Sequence, residues 1–393
     1  MSALRLCLWL GACLLGACTP APPIATPSTL WGAQYALAQA PYVFAPQPAE
    51  GTTASPFLAW SAPLEGNVRH VVARPPQPAT ILAMNARAPY DYRALPIGGK
   101  FALFWRDISP DTNALTLFAS RVSAGLVAEL EPIALSGAPT WAYAVARLPD
   151  GTLRAVWSAG TLSDARLYSA RLDTQARAQY RVPLAVAGEH PSLVQAWDGR
   201  MWLYWLSGDS LYRADLRDEG LLDIERLTYR PPLAPTDHLD GMAVAMDGDG
   251  RAYAFWRVVA GDGTPSLWLA SGGAAHTWGL PSLVRASALE GDVQTGYNSG
   301  RVQSARFGGE AIGWGVPLAG QNNVVPMVAT QGDALVMLYW QYGEPIGMQT
   351  LAQVGRLYSA PSVTADDARH LLVTWAQPTS ATQATLFYTS TRR

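Results

Sequence analysis

Asp237, His238 and Asp240 place two carboxylates and an imidazole within four positions. That is dense enough to hold a cation or to pass a proton between an acid and a base. Earlier in the chain Glu189 and His190 repeat the combination. A third grouping, Glu290 and Asp292 with Tyr297 nearby, falls in a stretch without regular patterning, and long insertions on rigid scaffolds often carry binding function. Asp107 and Asp111 could offer oxygens to Ca²⁺, but their spacing matches no dedicated loop. The same residue types also cap turns and fill solvated loops, so each grouping needs a scaffold that aims it at a common point. The chain has no Walker-type glycine loop, no His-Glu-x-x-His and no Gly-x-Ser-x-Gly. No cofactor and no metal centre are therefore expected.

The elements that would position these residues are repeated. Short apolar runs end in tryptophan at Trp60, Trp105, Trp157, Trp205, Trp256, Trp340 and Trp375, mostly 45 to 52 residues apart. A second extended run precedes each and often opens with proline, as at Pro89, Pro139, Pro191, Pro326 and Pro361. Between the two runs stand turn pairs such as Asp150-Gly151, Asp198-Gly199 and Gly98-Gly99, which supply the positive φ of tight hairpins. Two further strand-like runs commonly follow, so the unit is a four-stranded meander.

The tryptophan runs are apolar on both alternating faces, whereas a strand with one wet face would alternate. They must be covered on both faces, as in a propeller blade between its neighbours. The expected fold is all-β: a β-propeller of about seven four-stranded blades, its tryptophans serving as core. After Trp375 only one further run fits, and residues 29–37 are expected to supply the missing strand and close the ring. The interval from Trp256 to Trp340 is too long for one blade. Residues 285–322 are read as an insertion or a degenerate eighth blade, with a hairpin turn at Gly308-Gly309.

The proline-led strand, turn and tryptophan-ending strand resemble the sialidase-like, BNR-type propellers of secreted bacterial proteins over nearly the whole chain. The Asp box of that family, Ser-x-Asp-x-Gly-x-Thr-Trp, is absent. Tyr180-Arg181-Val182-Pro183 has the spelling of a sialidase arginine motif. It sits mid-chain, however, in the expected outer strand of the third blade, too far out to reach a central pocket.

The start of the chain reads as a leader. Arg5 is followed by an uninterrupted apolar run to Ala17, shorter than the roughly 20 residues a membrane span requires. Leu15-Gly16-Ala17-Cys18 resembles the lipobox of bacterial lipoproteins, which implies removal of residues 1–17 and lipidation of Cys18. Residues 18–28, rich in Pro and Ala, are expected to form an extended tether, and residues 29–393 the propeller. The implied place is extracytoplasmic and lipid-anchored. Thr19, where aspartate retains lipoproteins at the inner membrane, points to the outer membrane in a host that has one, and otherwise to the outer face of the cytoplasmic membrane. All three cysteines lie in the leader, so the mature fold is expected to be stabilised by packing alone.

Net charge is −2 and Lys100 is the only lysine. Nucleic-acid binding, which leans on clustered Lys and Arg, is set aside. Two functions remain. One is an anchored module that binds an envelope protein or a glycan. The other is a glycoside hydrolase or lyase using Glu189, Asp237 or Asp240 at the channel mouth, where paired carboxyls should stand about 5 to 9.5 Å apart.

Overall fold

In the computed structural model the described residues are 31–391, apart from 33, 41–46, 50–55, 65–66, 76, 162–163, 197, 274–276, 295–300, 319–322, 356, 358–359, 366–369 and 381–382. They form an all-β propeller of seven blades. Blade 1 comprises Gln47–Pro48, Leu58–Leu64, Asn67–Ala73 and Thr80–Ile81. Blade 2 comprises Tyr90–Ile97, Lys100–Ile108, Leu115–Val122 and Ile133–Ala134. Blade 3 runs through Thr140–Arg147, Leu153–Thr161, Asp164–Leu172 and Ala178–Ala187. Blade 4 runs through Glu189–Gln195, Met201–Ser207, Ser210–Leu216 and Leu221–Tyr229. Blade 5 has His238–Met246, Arg251–Val259, Pro265–Gly273 and Ser282–Leu283. Each is an antiparallel meander, so each strand lies beside the next in sequence.

Seven clusters of buried side chains hold the ring, one at each blade-to-blade interface. The cluster around Trp105 joins blades 1 and 2, and that around Trp157 joins 2 and 3. The last cluster joins Leu58, Trp60 and Ala62 of blade 1 to Leu372, Ala376 and Leu386 of the seventh blade. The ring is therefore closed by packing as well as by pairing. The seven tryptophans lie on the second strands and none exceeds 3% exposure, which is why those runs carry no polar face. Several stack on an aromatic residue directly across the sheet: Trp105 on Phe118, Trp157 on Tyr168, Trp205 on Tyr212 and Trp375 on Phe387, with centroids 5.5 to 5.9 Å apart.

Blade 7 has Ser362–Ala365, Leu371–Pro378 and Ala384–Ser390, and its fourth strand is Tyr35–Ala40, antiparallel to Ala384–Ser390. The expected closure is present, with the strand a few residues later than 29–37. The segment before it also docks: the Gly32 N–H donates to the Ser390 carbonyl at 2.9 Å, and Trp31 is buried among Val324, Leu351 and Trp375 between blades 6 and 7. The Gln34 amide donates to the Leu351 carbonyl at 2.7 Å.

The long interval resolves differently from a turn at Gly308-Gly309. Blade 6 is built on Val325–Gln331, Ala334–Gln341 and Glu344–Gln353. The hairpin Arg285–Gln294 with Arg301–Pro317 joins its sheet, making it five-stranded. Gly308 and Gly309 lie inside the strand Arg301–Pro317, where Ala286 pairs with Glu310 and Ser287 with Arg306. The glycine pair thus sits in a bulge instead of reversing the chain. There is no eighth blade among the described residues; the insertion extends blade 6.

On one face of the ring, Asp218 in the last turn of blade 4 bridges Arg154 and Arg171 of blade 3, and Arg171 also meets Asp150. Arg181, in the outer strand of blade 3, donates to the Ala134 carbonyl of blade 2 at 3.0 Å. The Tyr-Arg-Val-Pro segment is an inter-blade tie, as its outer position required.

Candidate functional site

In blades 2 to 5 the first strand is the inner edge of its sheet, and it carries an irregularity. Register shifts fall between Tyr90 and Arg93, Thr140 and Ala142, Glu189 and Ser192, and Leu239 and Gly241. Among the described residues the first strands of blades 1, 6 and 7 carry no such shift. A bulge breaks strict alternation and re-aims a side chain. The residues so placed include Asp91, Trp141, His190 and Asp240. Asp91 and His190 adopt φ of 56° and 48°, a left-handed conformation uncommon outside glycine, and such backbone persists only where its surroundings hold it.

Arg106, at the end of the second strand of blade 2, organises one side. Its guanidinium lies 3.1 Å from the Asp91 carboxylate and 4.6 Å from the centre of the Tyr90 ring. It also donates to the carbonyl of Trp141 in blade 3. Trp141 is 37% exposed, and its indole N–H donates to the Gly160 carbonyl at 2.8 Å. The ring is held by a hydrogen bond while part of its surface faces solvent. Tyr143 lies behind, donating its hydroxyl to the carbonyls of Asp91 and Phe104, and burial raises its pKa well above the usual phenol range.

Arg257 organises the other side. Its Nε donates to the Asp240 carboxylate at 2.7 Å and its Nη2 to the Asp240 carbonyl at 3.1 Å. Between the two sides stands His190. Desolvation pushes its imidazole down to about 4; Asp240 opposes the shift, while Arg106 and Arg257 reinforce it. The ring on blade 4 thus feels charges from blades 2 and 5.

Of the expected clusters, His190 and Asp240 stand on the inner strands of consecutive blades, and the Asp240 charge acts on the His190 imidazole. Glu189 and His238 are exposed at the starts of their strands. Asp237 is half-buried and closes its own turn, its carboxylate accepting from the Ala234 N–H at 3.2 Å. Asp107 is buried and accepts from the backbone N–H groups of Arg87, Ala88 and Ile108, fastening the preceding loop to blade 2. Glu290 and Asp292 lie in the added strand of blade 6, and Tyr297 lies outside the described residues, as does Cys18. Among the described residues no three His, Asp or Glu side chains gather as a metal site would require.

Asp91, Arg106, Trp141 and Arg257 were not singled out in the sequence. The only signal for them was positional: Arg106 and Arg257 each directly follow a blade tryptophan, and Asp91 and Trp141 each stand two residues after a strand-opening proline.

No protein-family model matches the chain, and no curated protein matches it. Solved structures share its fold. A protein of unknown function from Dyadobacter fermentans aligns over 91% of this chain and 98% of its own, with 12% identity and a TM-score of 0.50. An α-L-arabinanase of Penicillium chrysogenum, solved with arabinobiose, aligns over 76% and 92%, with 12% identity and a TM-score of 0.46. A GH43_1 enzyme of Xanthomonas citri aligns over 63% and 93%, with 16% identity and a TM-score of 0.40.

Proposed function

We propose that the chain is a lipid-anchored propeller that binds a glycan at the channel mouth. The observation that carries this reading is Trp141, whose indole is fixed by its own N–H and whose backbone carbonyl is held by Arg106, yet whose ring keeps an open surface. A rigid, partly exposed aromatic face offers apolar contact at little entropic cost, which suits the C–H face of a sugar ring. The flanking Asp91–Arg106 and Asp240–Arg257 pairs supply acceptors and donors together, as hydroxyl groups require.

The test is a binding screen of purified residues 28–393, which contain the whole described ring, against a glycan panel. Trp141→Ala should weaken binding about tenfold, the scale of one well-placed aromatic contact. A panel on which nothing binds would sink the reading. The alternative, a glycoside hydrolase, draws on the Asp240 charge acting on the His190 imidazole, and turnover of any bound glycan would establish it. Against it, a hydrolase needs a carboxyl poised to donate a proton, whereas Asp240 receives a guanidinium N–H at 2.7 Å.

The anchor is the second part of the proposal. Lipid on Cys18 would tether the ring through residues 19–30, which span at most about 40 Å fully extended. Metabolic labelling with an alkyne fatty acid should mark the wild type and not Cys18→Ser.

A further inference from the structure

We propose that the anchored ring stands with its hairpin-turn face toward the membrane and its mouth opening away from it, so that the glycan it takes is presented by something other than the lipids of that membrane. This rests on the anchor and glycan readings above and specifies where the ligand comes from.

In blades 2 to 5 the hairpin between the first and second strands lies at one end of the sheet, at Gly98-Gly99, Asp150-Gly151, Asp198-Gly199 and the turn from Asp247 to Gly250. The mouth residues lie at the other end, where Tyr90 faces Arg106, Thr140 faces Ala159, Glu189 faces Leu206 and His238 faces Val259. A meander of four strands returns the chain to the end it started from, so the next blade begins on the same face. Neighbouring blades meet accordingly, Arg106 with Trp141 at the mouth and Asp218 with Arg171 at the turns.

Blade 7 has the same sense. Its second strand ends at Pro378, opposite Ala384, which in turn lies opposite Ala40. Blade 1 opens at Gln47, shortly after Ala40, so Ala40 is at the face where blades begin. At the turn end Leu371 opens the second strand, and its carbonyl accepts from the Thr391 N–H at 3.0 Å. There Tyr35 faces Tyr388, and the Gly32 N–H donates to the Ser390 carbonyl at 2.9 Å. The chain therefore enters the ring on the turn face, and it climbs toward the mouth only along Tyr35–Ala40.

Reach then sets the orientation. A strand of nine residues such as Lys100–Ile108 is about 30 Å long. A ring lying mouth-down would hold Gly32 that far from the membrane. Residues 19–30 reach about 40 Å only when fully extended, which leaves about 10 Å to clear the rim. With the turn face down the same tether is slack. That face suits the position, because its charges are paired: Lys100 and Arg121 with Glu129, Arg171 with Asp150 and Asp218, and Arg200 with Asp198. Tyr35 and Tyr342 are exposed on it, rings of the kind that settle at a membrane–water interface. The Tyr342 carbonyl accepts from Arg251, beside the Asp247 to Gly250 turn, at 3.4 Å.

The experiment uses the full-length protein, lipidated in its host and reconstituted into vesicles that contain a rhodamine-headgroup lipid. With Cys18 acylated, Asp249→Cys and Asp262→Cys each supply one thiol for a donor dye on opposite faces of blade 5. Asp249 is exposed in the hairpin turn, and Asp262 is exposed in the turn between the second and third strands. Energy transfer to the lipid should be at least twofold more efficient from position 249 than from position 262. Equal transfer, or more from position 262, would overturn the proposal. A panel glycan coupled to beads should capture the vesicles, and the same glycan joined without a spacer to a lipid of those vesicles should lower capture less than twofold. Strong competition by the lipid-borne glycan would also overturn it. Protein that does not associate with vesicles would remove the anchor reading and this orientation with it. A panel on which nothing binds would remove the glycan reading and the statement about its source, while the two dyes would still report which face meets the membrane.

Discussion

The rings of Tyr35 and Tyr388 stack with centroids 5.2 Å apart and planes inclined by 23°. They join the first described strand to the last. Nearby, the Thr389 hydroxyl donates to the Gly32 carbonyl at 3.2 Å across 357 residues of sequence.

Removing residues 31–40 should therefore open blade 7 and expose one edge of Ala384–Ser390. Losing one buried tryptophan alone costs about 3–5 kcal/mol, and in a chain of this size each kcal/mol corresponds to roughly 2 °C. A fall of about 5–10 °C is expected by scanning calorimetry, with aggregation at the bare edge. An unchanged melting temperature would contradict ring closure.

Gly188 lies where blade 3 passes into blade 4, and a Cβ there would stand 2.6 Å from Trp205 Cδ1 and 3.0 Å from Leu167. Gly188→Ala should cost about 1–3 kcal/mol through overpacking, measured as a lower urea midpoint. Gly188→Ala with Leu167→Ala, which opens space beside it, should destabilise less than the sum of the single changes.

His70 and His190 both titrate near 4, chiefly because burial disfavours the imidazolium. His70 is fully buried, its Nδ1 2.7 Å from the Tyr92 hydroxyl between blades 1 and 2. A histidine with a folded value below its free value of 6.5 takes up its proton first in the unfolded chain. Stability should be full above pH 6.5, decline as pH falls through the interval to about 4, and level off below it. For His70 the loss is on the order of 3 kcal/mol at 1.36 kcal/mol per unit; His190, partly exposed, contributes less. Urea midpoints across pH 7 to 4 test this, and His190→Gln should flatten part of the slope. A stability that rises on acidification would refute it.

Asp218 carries two arginines of the neighbouring blade, one of them, Arg154, only 5% exposed at its side chain. Asp218→Ala should cost about 1–3 kcal/mol, below the range for a fully buried pair because Asp218 is 38% exposed. A cycle with Arg171→Ala should show coupling, since both changes remove one shared contact. Additive effects within 0.3 kcal/mol would show that the bridge contributes nothing.

The blades were legible because burial on both faces leaves a mark that needs no neighbour to read: a run such as Met201–Ser207 has no polar position until Ser207. Closure was legible from a missing strand. Its register was not, because Trp31 reads like a strand residue yet fills the gap between blades 6 and 7. The Gly308-Gly309 pair has the chemistry of a turn, and only the pairing of Arg301–Pro317 shows that it relaxes a bulge. At the mouth, carboxylates and histidines in loops could be found by type, which located His190 and Asp240. Asp91 and Trp141 were hidden because bulges are set by register, and one extra residue in a strand has no composition of its own.

The antiparallel pairing of Tyr35–Ala40 with Ala384–Ser390 also imposes an order on assembly. Each blade packs only on its two neighbours, so six interfaces can form progressively as the chain emerges, but the seventh must wait for the final strand. Contacts of such sequence separation are slow to find. Until then the opening segment is a free strand beside an incomplete ring, the form most exposed to proteases and to pairing with another molecule's blade 7. A chain in which Ser390 is linked to Tyr35 and the ring is reopened between two blades should fold faster or slower according to where that last search is placed, while reaching the same ring.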